Sequence, residues 1–148
     1  MGTSGLKELL GYGRSIAKAG FVKGNGGSLS LREDGLVWIK PGDRSMESLM
    51  VNDFCGVDLA TGKQVHGKRR LPTELALHLA IYRSRPEVKA IFQARPPWAE
   101  LVINAGLAFK AMFAEFVNDL GRTATLSAKQ SGDAAGELSL VGLRGVSA

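Results

Sequence analysis

Residues 71–102, LPTELALHLAIYRSRPEVKAIFQARPPWAELV, leave this chain few choices of fold. Leu75, Leu79 and Tyr82 recur at helical spacing, with Leu77 and Ile81 beside them, and Thr73 stands where an N-cap hydroxyl belongs. Pro86 cannot continue a helix and pushes the residue before it towards extended backbone, so the helix ends near Arg85. The apolar run 88–93 reads as a short buried strand. Pro96 and Pro97 then open a second helix, which Gly106 suits as an end. A helix, a strand and a helix in so short a span call for a sheet with helices packed on it.

The upstream half supplies the rest of that sheet. Residues 3–19 read as a helix with Leu6, Leu9, Leu10, Ile16 and Ala17 on one face and Gly20 as its stop. A Gly-rich turn at 24–27 leads into the alternating run 28–32. The turn Glu33-Asp34-Gly35 joins it to the run 36–40, which is a hairpin signal. Pro41 and Gly42 end the hairpin, and 45–49 reads as a helical turn. Strands are expected at 54–59 and 64–66, with a turn at 60–63 between them. Further on, the pattern gives a helix at 113–120 stopped by Gly121, a short strand at 124–126, and a last helix capped by Asp133. No repeat, linker or low-complexity stretch divides the 148 residues, so a single α/β domain spanning 1–148 is expected. Hairpins in the first half make its sheet mainly antiparallel or mixed.

Charge and cysteine content narrow the function classes. The net charge of +5 is mild, and its densest cluster is Lys68, Arg69 and Arg70. That is too sparse for a nucleic-acid-binding stripe and suits attraction of small anions. No apolar run approaches the ~20 residues that span a bilayer. Charges interrupt the apolar face of the N-terminal segment, so it is not read as a signal peptide, and Leu6 breaks the match to a myristoylation signal. The single cysteine, Cys55, reads as a buried thiol in a reducing, cytoplasmic setting.

Three places carry candidate chemistry. In the turn Gly24-Asn25-Gly26-Gly27-Ser28, glycines let the backbone approach a ligand and successive N–H groups can cradle an anion. Lys23 and Lys40 lie near the ends of the following hairpin and bring positive charge; the turn equally serves as a plain helix-to-strand connection. Thr73 and Glu74 stand at a helix start, where free N–H groups favour anions; Thr73 equally suits a plain cap, and Glu74 in the first turn equally suits the helix dipole. Gln93 and Arg95, two apart, share one side of a strand end. Neither is a zinc ligand by chemistry. His78 follows Glu74 by one helical turn and reads as a packed or surface histidine, or as half of a metal site; His66 reads as solvated.

Read in order, GNGGSLSLR from Gly24, IKPGD from Ile39, PTE from Pro72, LHLAIY from Leu77 and QARPP from Gln93 resemble the class II aldolase/adducin family. Its members read G-T-S-G-N-I-S-V-R, I-T-P-S-G, S-S-E, L-H-x-A-I-Y and H-T-H-P-P at these places. The resemblance implies a three-layer α/β domain, with a central mainly antiparallel or mixed sheet and helices on both faces. It implies an acid/base glutamate at Glu74 and a phosphate grip at Gly24, Asn25, Gly27, Ser28, Lys40, Gly42 and Thr73. It also implies homo-oligomers, commonly tetramers, and zinc held by three histidines.

The departures fall on the metal. Gln93 and Arg95 occupy the first two zinc-histidine positions, and the third, in an N-H-G segment, would fall about where this sequence ends. The expectation is therefore a degenerate, C-terminally short homologue with no metal cofactor. It would bind a small phosphorylated or acidic metabolite, with Arg95 paired to Glu74 or to the anion. The alternatives are an active aldehyde-lyase or epimerase on a sugar phosphate, and an adducin-like interaction module with Trp98, Phe109, Phe113 and Phe116 as an exposed patch. Neither nucleic acid nor membrane is an expected partner.

Overall fold

The computed structural model describes residues 3–94, 96–98, 101 and 105. The chain divides into two compact units, Met1–Pro97 and Trp98–Ala148. Five strands and two α-helices are seen among the described residues of the first unit. Helix α1 (Thr3–Lys18) leads to β1 (Ser28–Glu33) and β2 (Leu36–Ile39). A 3-10 turn (Val51–Asp53) precedes β3 (Cys55–Asp58) and β4 (Gln64–His66), followed by α2 (Leu75–Ser84) and β5 (Ala90–Gln93). Residues 113–143, where further helices and a strand are expected, lie outside the described set.

The sheet runs β4-β3-β2-β1-β5, and every described pairing is antiparallel. Its central hairpin closes at Asp34 and Gly35, whose φ angles of 50° and 78° are those of the tight hairpin turn that Asp-Gly favours. Strand β5 returns from α2 to pair with β1, so that Ser28 stands opposite Gln93 and Leu29 opposite Phe92.

Alternation along β1 and β2 divides the core into two layers. Leu29 and Trp38 meet Leu6, Leu9 and Leu10 of α1, together with Met46, Leu49 and Phe54. Val37, Ile39, Cys55 and Val57 meet Leu79 and Tyr82 of α2 on the opposite face. Helices therefore cover both faces of an antiparallel sheet, as the three-layer reading requires. Burying each large apolar side chain stabilises the fold by ~2 kcal/mol. Helix α1 comes close to the sheet because Gly13 faces Leu29; a Cβ at Gly13 would lie 2.6 Å from the Leu29 Cδ2 methyl.

One local expectation is corrected. Thr73 does not cap α2. The first helical bond runs from the N–H of His78 to the carbonyl of Glu74 at 3.1 Å, so Glu74 is the capping residue and precedes the first turn. The Thr73 hydroxyl instead donates to Glu74 Oε2 at 3.0 Å. Pro72 sets this start, its carbonyl accepting the N–H of Leu75 at 3.2 Å. Among the described residues no helix is long and apolar enough to cross a membrane.

Candidate functional site

The Gly-rich turn, the end of the β1–β2 hairpin and the approach to α2 meet around a cavity of about 400 Å³. Asn25 and Gly27 line it from the turn, Lys40, Gly42 and Asp43 from the hairpin end, and residues 70–74 from the approach to α2. The sequence joins these segments only through long-range ties. The N–H of Gly42 bonds the carbonyl of Arg70 at 3.0 Å, and Lys40 reaches back to the turn. Gly27 is held at φ 69° where a Cβ would meet Val22, Met46 and the Gln93 carbonyl, the last at 2.8 Å. Only glycine fits that junction of turn and strand.

Lys40 sits under this cavity with 1% of its surface exposed. Its ammonium donates to the carbonyls of Asn25 (3.1 Å), Pro41 (3.1 Å) and Arg44 (2.6 Å). An ammonium has three N–H bonds, so none remains for a ligand. Lys40 thus braces the turn against the loop and gives the cavity charge rather than a hydrogen bond. Burial lowers its pKa, and the fields of Glu74 and Asp43 oppose that shift. Asp43 is itself tied to Arg69 at 3.0 Å, and Arg69 also reaches the buried carboxylate of Asp53 at 3.0 Å.

Ser28 is a second correction. It is fully buried and does not line the cavity. Its Oγ lies 2.7 Å from His78 Nε2 and donates to Gln93 Oε1 at 2.9 Å. Ser30, two residues on and on the same face, lies 2.7 Å from His78 Nδ1 and 2.8 Å from the Tyr82 hydroxyl. His78 is therefore the packed histidine among the readings the sequence allows. Burial pushes its pKa down to about 4, against the pull of Glu74, and it stays neutral at pH 7. Burial likewise pushes Tyr82 up to about 12, with the Ser30 hydrogen bond and Arg32 acting against it.

Of the residues picked out by the sequence, Asn25, Gly27, Lys40, Gly42, Thr73 and Glu74 border this same cavity. Gly24 belongs to the same turn but does not line it, and Arg95 lies outside the described residues, as does its pairing with Glu74. Asp43 and Arg70 border the cavity without having been picked out, although Arg70 stands in the basic cluster 68–70 that the composition marks. His66 is exposed, as expected, and stacks on Trp38 with ring centroids 5.3 Å apart. Of the aromatic patch, Trp98 is exposed and Phe109, Phe113 and Phe116 lie outside the described residues.

The family model of the class II aldolase and adducin N-terminal domain matches residues 7–139. The chain belongs to this family. A 5-deoxy-D-ribulose 1-phosphate aldolase of Bacillus thuringiensis is 31% identical over 102 residues, which are 68% of this chain and 47% of that protein. An L-fuculose phosphate aldolase of Methanococcus vannielii is 41% identical over 87 residues, 58% of this chain and 46% of that one. The chain therefore spans about half the length of the curated relatives it matches. The solved structure of an L-fuculose 1-phosphate aldolase superposes with a TM-score of 0.64 at 27% identity, over 72% of this chain and 50% of the other.

Zinc is the cofactor that the class II aldolase resemblance implies, and the donors among the described residues do not suit it. Among the described residues no three His, Cys, Asp or Glu side chains converge. Gln93 offers a weak neutral oxygen that already accepts the Ser28 hydroxyl, and both ring nitrogens of His78 are engaged by serines.

Proposed function

We propose that this class II aldolase-family chain binds a small phosphorylated or otherwise anionic metabolite in the cavity and does not carry out zinc-dependent aldol cleavage. The observation that carries the reading is the fixed ammonium of Lys40 beneath a cavity bordered by Asn25, Gly27 and Thr73. A buried cation attracts an anion strongly because little water screens it. The exposed Arg70 adds to the field, while Glu74 and Asp43 limit how much negative charge the cavity tolerates. The aldolases among the relatives are named for sugar phosphates, which fit this charge pattern. Among the described residues three strong donors do not converge, and without them the Lewis acidity that stabilises an enediolate is missing. Assembly into homo-oligomers belongs to the same proposal.

The test is calorimetric titration with inorganic phosphate and with dihydroxyacetone phosphate, in chelator and again with added zinc. Saturable binding that zinc does not change supports the reading. Absence of binding to either anion defeats it. A second reading, a lyase or epimerase acting on a sugar phosphate, draws support from Glu74 and Lys40 sharing the cavity. Release of dihydroxyacetone phosphate from a ketose 1-phosphate, lost in Glu74→Gln, would favour it.

A further inference from the structure

Asp43 brings a carboxylate to the cavity wall at the place where the motif I-T-P-S-G ends in glycine, which has no side chain. Arg69 holds it there, donating from Nη1 to Asp43 Oδ2 at 3.0 Å while its Nε reaches the buried Asp53 carboxylate at 3.0 Å. That pairing takes one oxygen and leaves Oδ1 as an acceptor. Glu74 is arranged alike: the Thr73 hydroxyl takes Oε2 and leaves Oε1. Both carboxylates lie close enough to the Lys40 ammonium to oppose the effect of burial on it.

Donors are scarcer than acceptors on this wall. Lys40 gives its three N–H bonds to carbonyls, and Thr73 gives its one proton to Glu74. Among the described side chains that line the cavity, the Arg70 guanidinium and the Asn25 carboxamide remain as donors. One guanidinium fork matches the two oxygens of a carboxylate. Charge points the same way. Attraction to fixed charges grows in proportion to the charge of a ligand, whereas the cost of removing it from water grows with the square. Lys40 and Arg70 are set against Asp43 and Glu74 in the described lining, so the net attraction is small and a second negative charge on the ligand loses more than it gains.

We propose that Asp43 is a specificity-determining residue that narrows the ligand to a small, singly charged anion bearing hydroxyls, a hydroxycarboxylate, in preference to a doubly charged phosphate ester. The ligand carboxylate pairs with Arg70 in the field of Lys40, and its hydroxyls donate to the open oxygens of Asp43 and Glu74. The proposal rests on the metabolite-binding reading above and chooses among the anions that reading allows. Asp43 touches the ligand, and Arg69 is a positioning residue that acts through it.

Titration calorimetry at neutral to slightly alkaline pH with D-glycerate, glycerol 3-phosphate and propionate separates charge from hydroxyl content. The phosphate ester, with a second pKa of about 6, is then doubly charged. Wild type binds D-glycerate about tenfold more tightly than either of the others, since glycerol 3-phosphate carries the extra charge and propionate lacks hydroxyls. Asp43→Asn keeps an acceptor for Arg69 and removes the charge, and Asp43→Gly restores the residue of the motif. In both variants glycerol 3-phosphate gains about tenfold and overtakes or equals D-glycerate. A wild type that prefers glycerol 3-phosphate, or variants that keep the wild-type preference, overturns the proposal while the metabolite site stands. Propionate binding as tightly as D-glycerate overturns the hydroxyl contacts. Failure of wild type to bind any of the three overturns the metabolite site and the role of Asp43 together.

Discussion

A lysine whose N–H bonds all end on backbone carbonyls acts on a ligand through its charge alone. Lys40 is such a lysine, and burial holds its pKa below the ordinary value of 10.5. Its charge is lost at a lower pH than that of a free lysine, and the attraction for an anion goes with it. Sulfate does not titrate in this range and isolates the effect. Its affinity falls as the pH rises towards the lysine range. Lys40→Met weakens it about tenfold and flattens the pH profile, as titration calorimetry would show. His78 works on stability instead. The unfolded chain protonates this ring near 6.5, the folded chain only near 4. Stability from this group is therefore complete above 6.5 and is lost as the pH falls through 4, by about 3 kcal/mol in all. Denaturant unfolding between pH 4 and 7 checks this, with His78→Gln expected to lose that part of the slope.

At the scale of the elements, two glycines of one turn separate backbone freedom from space. Gly24 has φ 55° and open space within 4 Å of the point a Cβ would occupy, whereas Gly27 has φ 69° and is hemmed in by side chains and a carbonyl. Gly24→Ala is expected to cost about 1 kcal/mol and Gly27→Ala about 3 kcal/mol in denaturant unfolding. Elements governed by local rules were legible in the sequence. The Asp34-Gly35 turn, the apolar face of α1 and the place of the strand before the two prolines follow from spacing and turn chemistry, although that strand spans only Ala90–Gln93 and is a half-exposed edge of the described sheet rather than the buried strand its apolar run suggests. The start of α2 was not: Thr73 suits a cap by residue type, but the Pro72 carbonyl takes the N–H of Leu75 and the helix begins one residue later than expected. The 3-10 turn at Val51–Asp53 escaped for a similar reason: the Asp53 carboxylate that closes it is fixed by Arg69, far along the chain.

At the scale of the first compact unit, the sheet and its two covering helices could be anticipated, since periodicity states which residues must be hidden. The site was legible only in part. Asn25, Gly27, Lys40, Gly42, Thr73 and Glu74 could be named, but not that Lys40 would turn its donors inward, nor that Ser28 would pair with a histidine 50 residues away. Such facts depend on how loops converge, and no local period encodes convergence. Strand β1 shows what the three layers ask of a sequence. Leu29 looks towards α1 and packs only against apolar side chains, while Ser28 and Ser30 look towards α2 and each hold a nitrogen of the same imidazole. Tolerance to substitution should therefore beat with a period of two along this strand. In a saturation library scored for abundance, position 29 accepts several aliphatic residues, whereas positions 28 and 30 accept almost nothing beyond Ser and Thr. β1 is thus two messages interleaved in one strand, one spelled in volume and the other in protons.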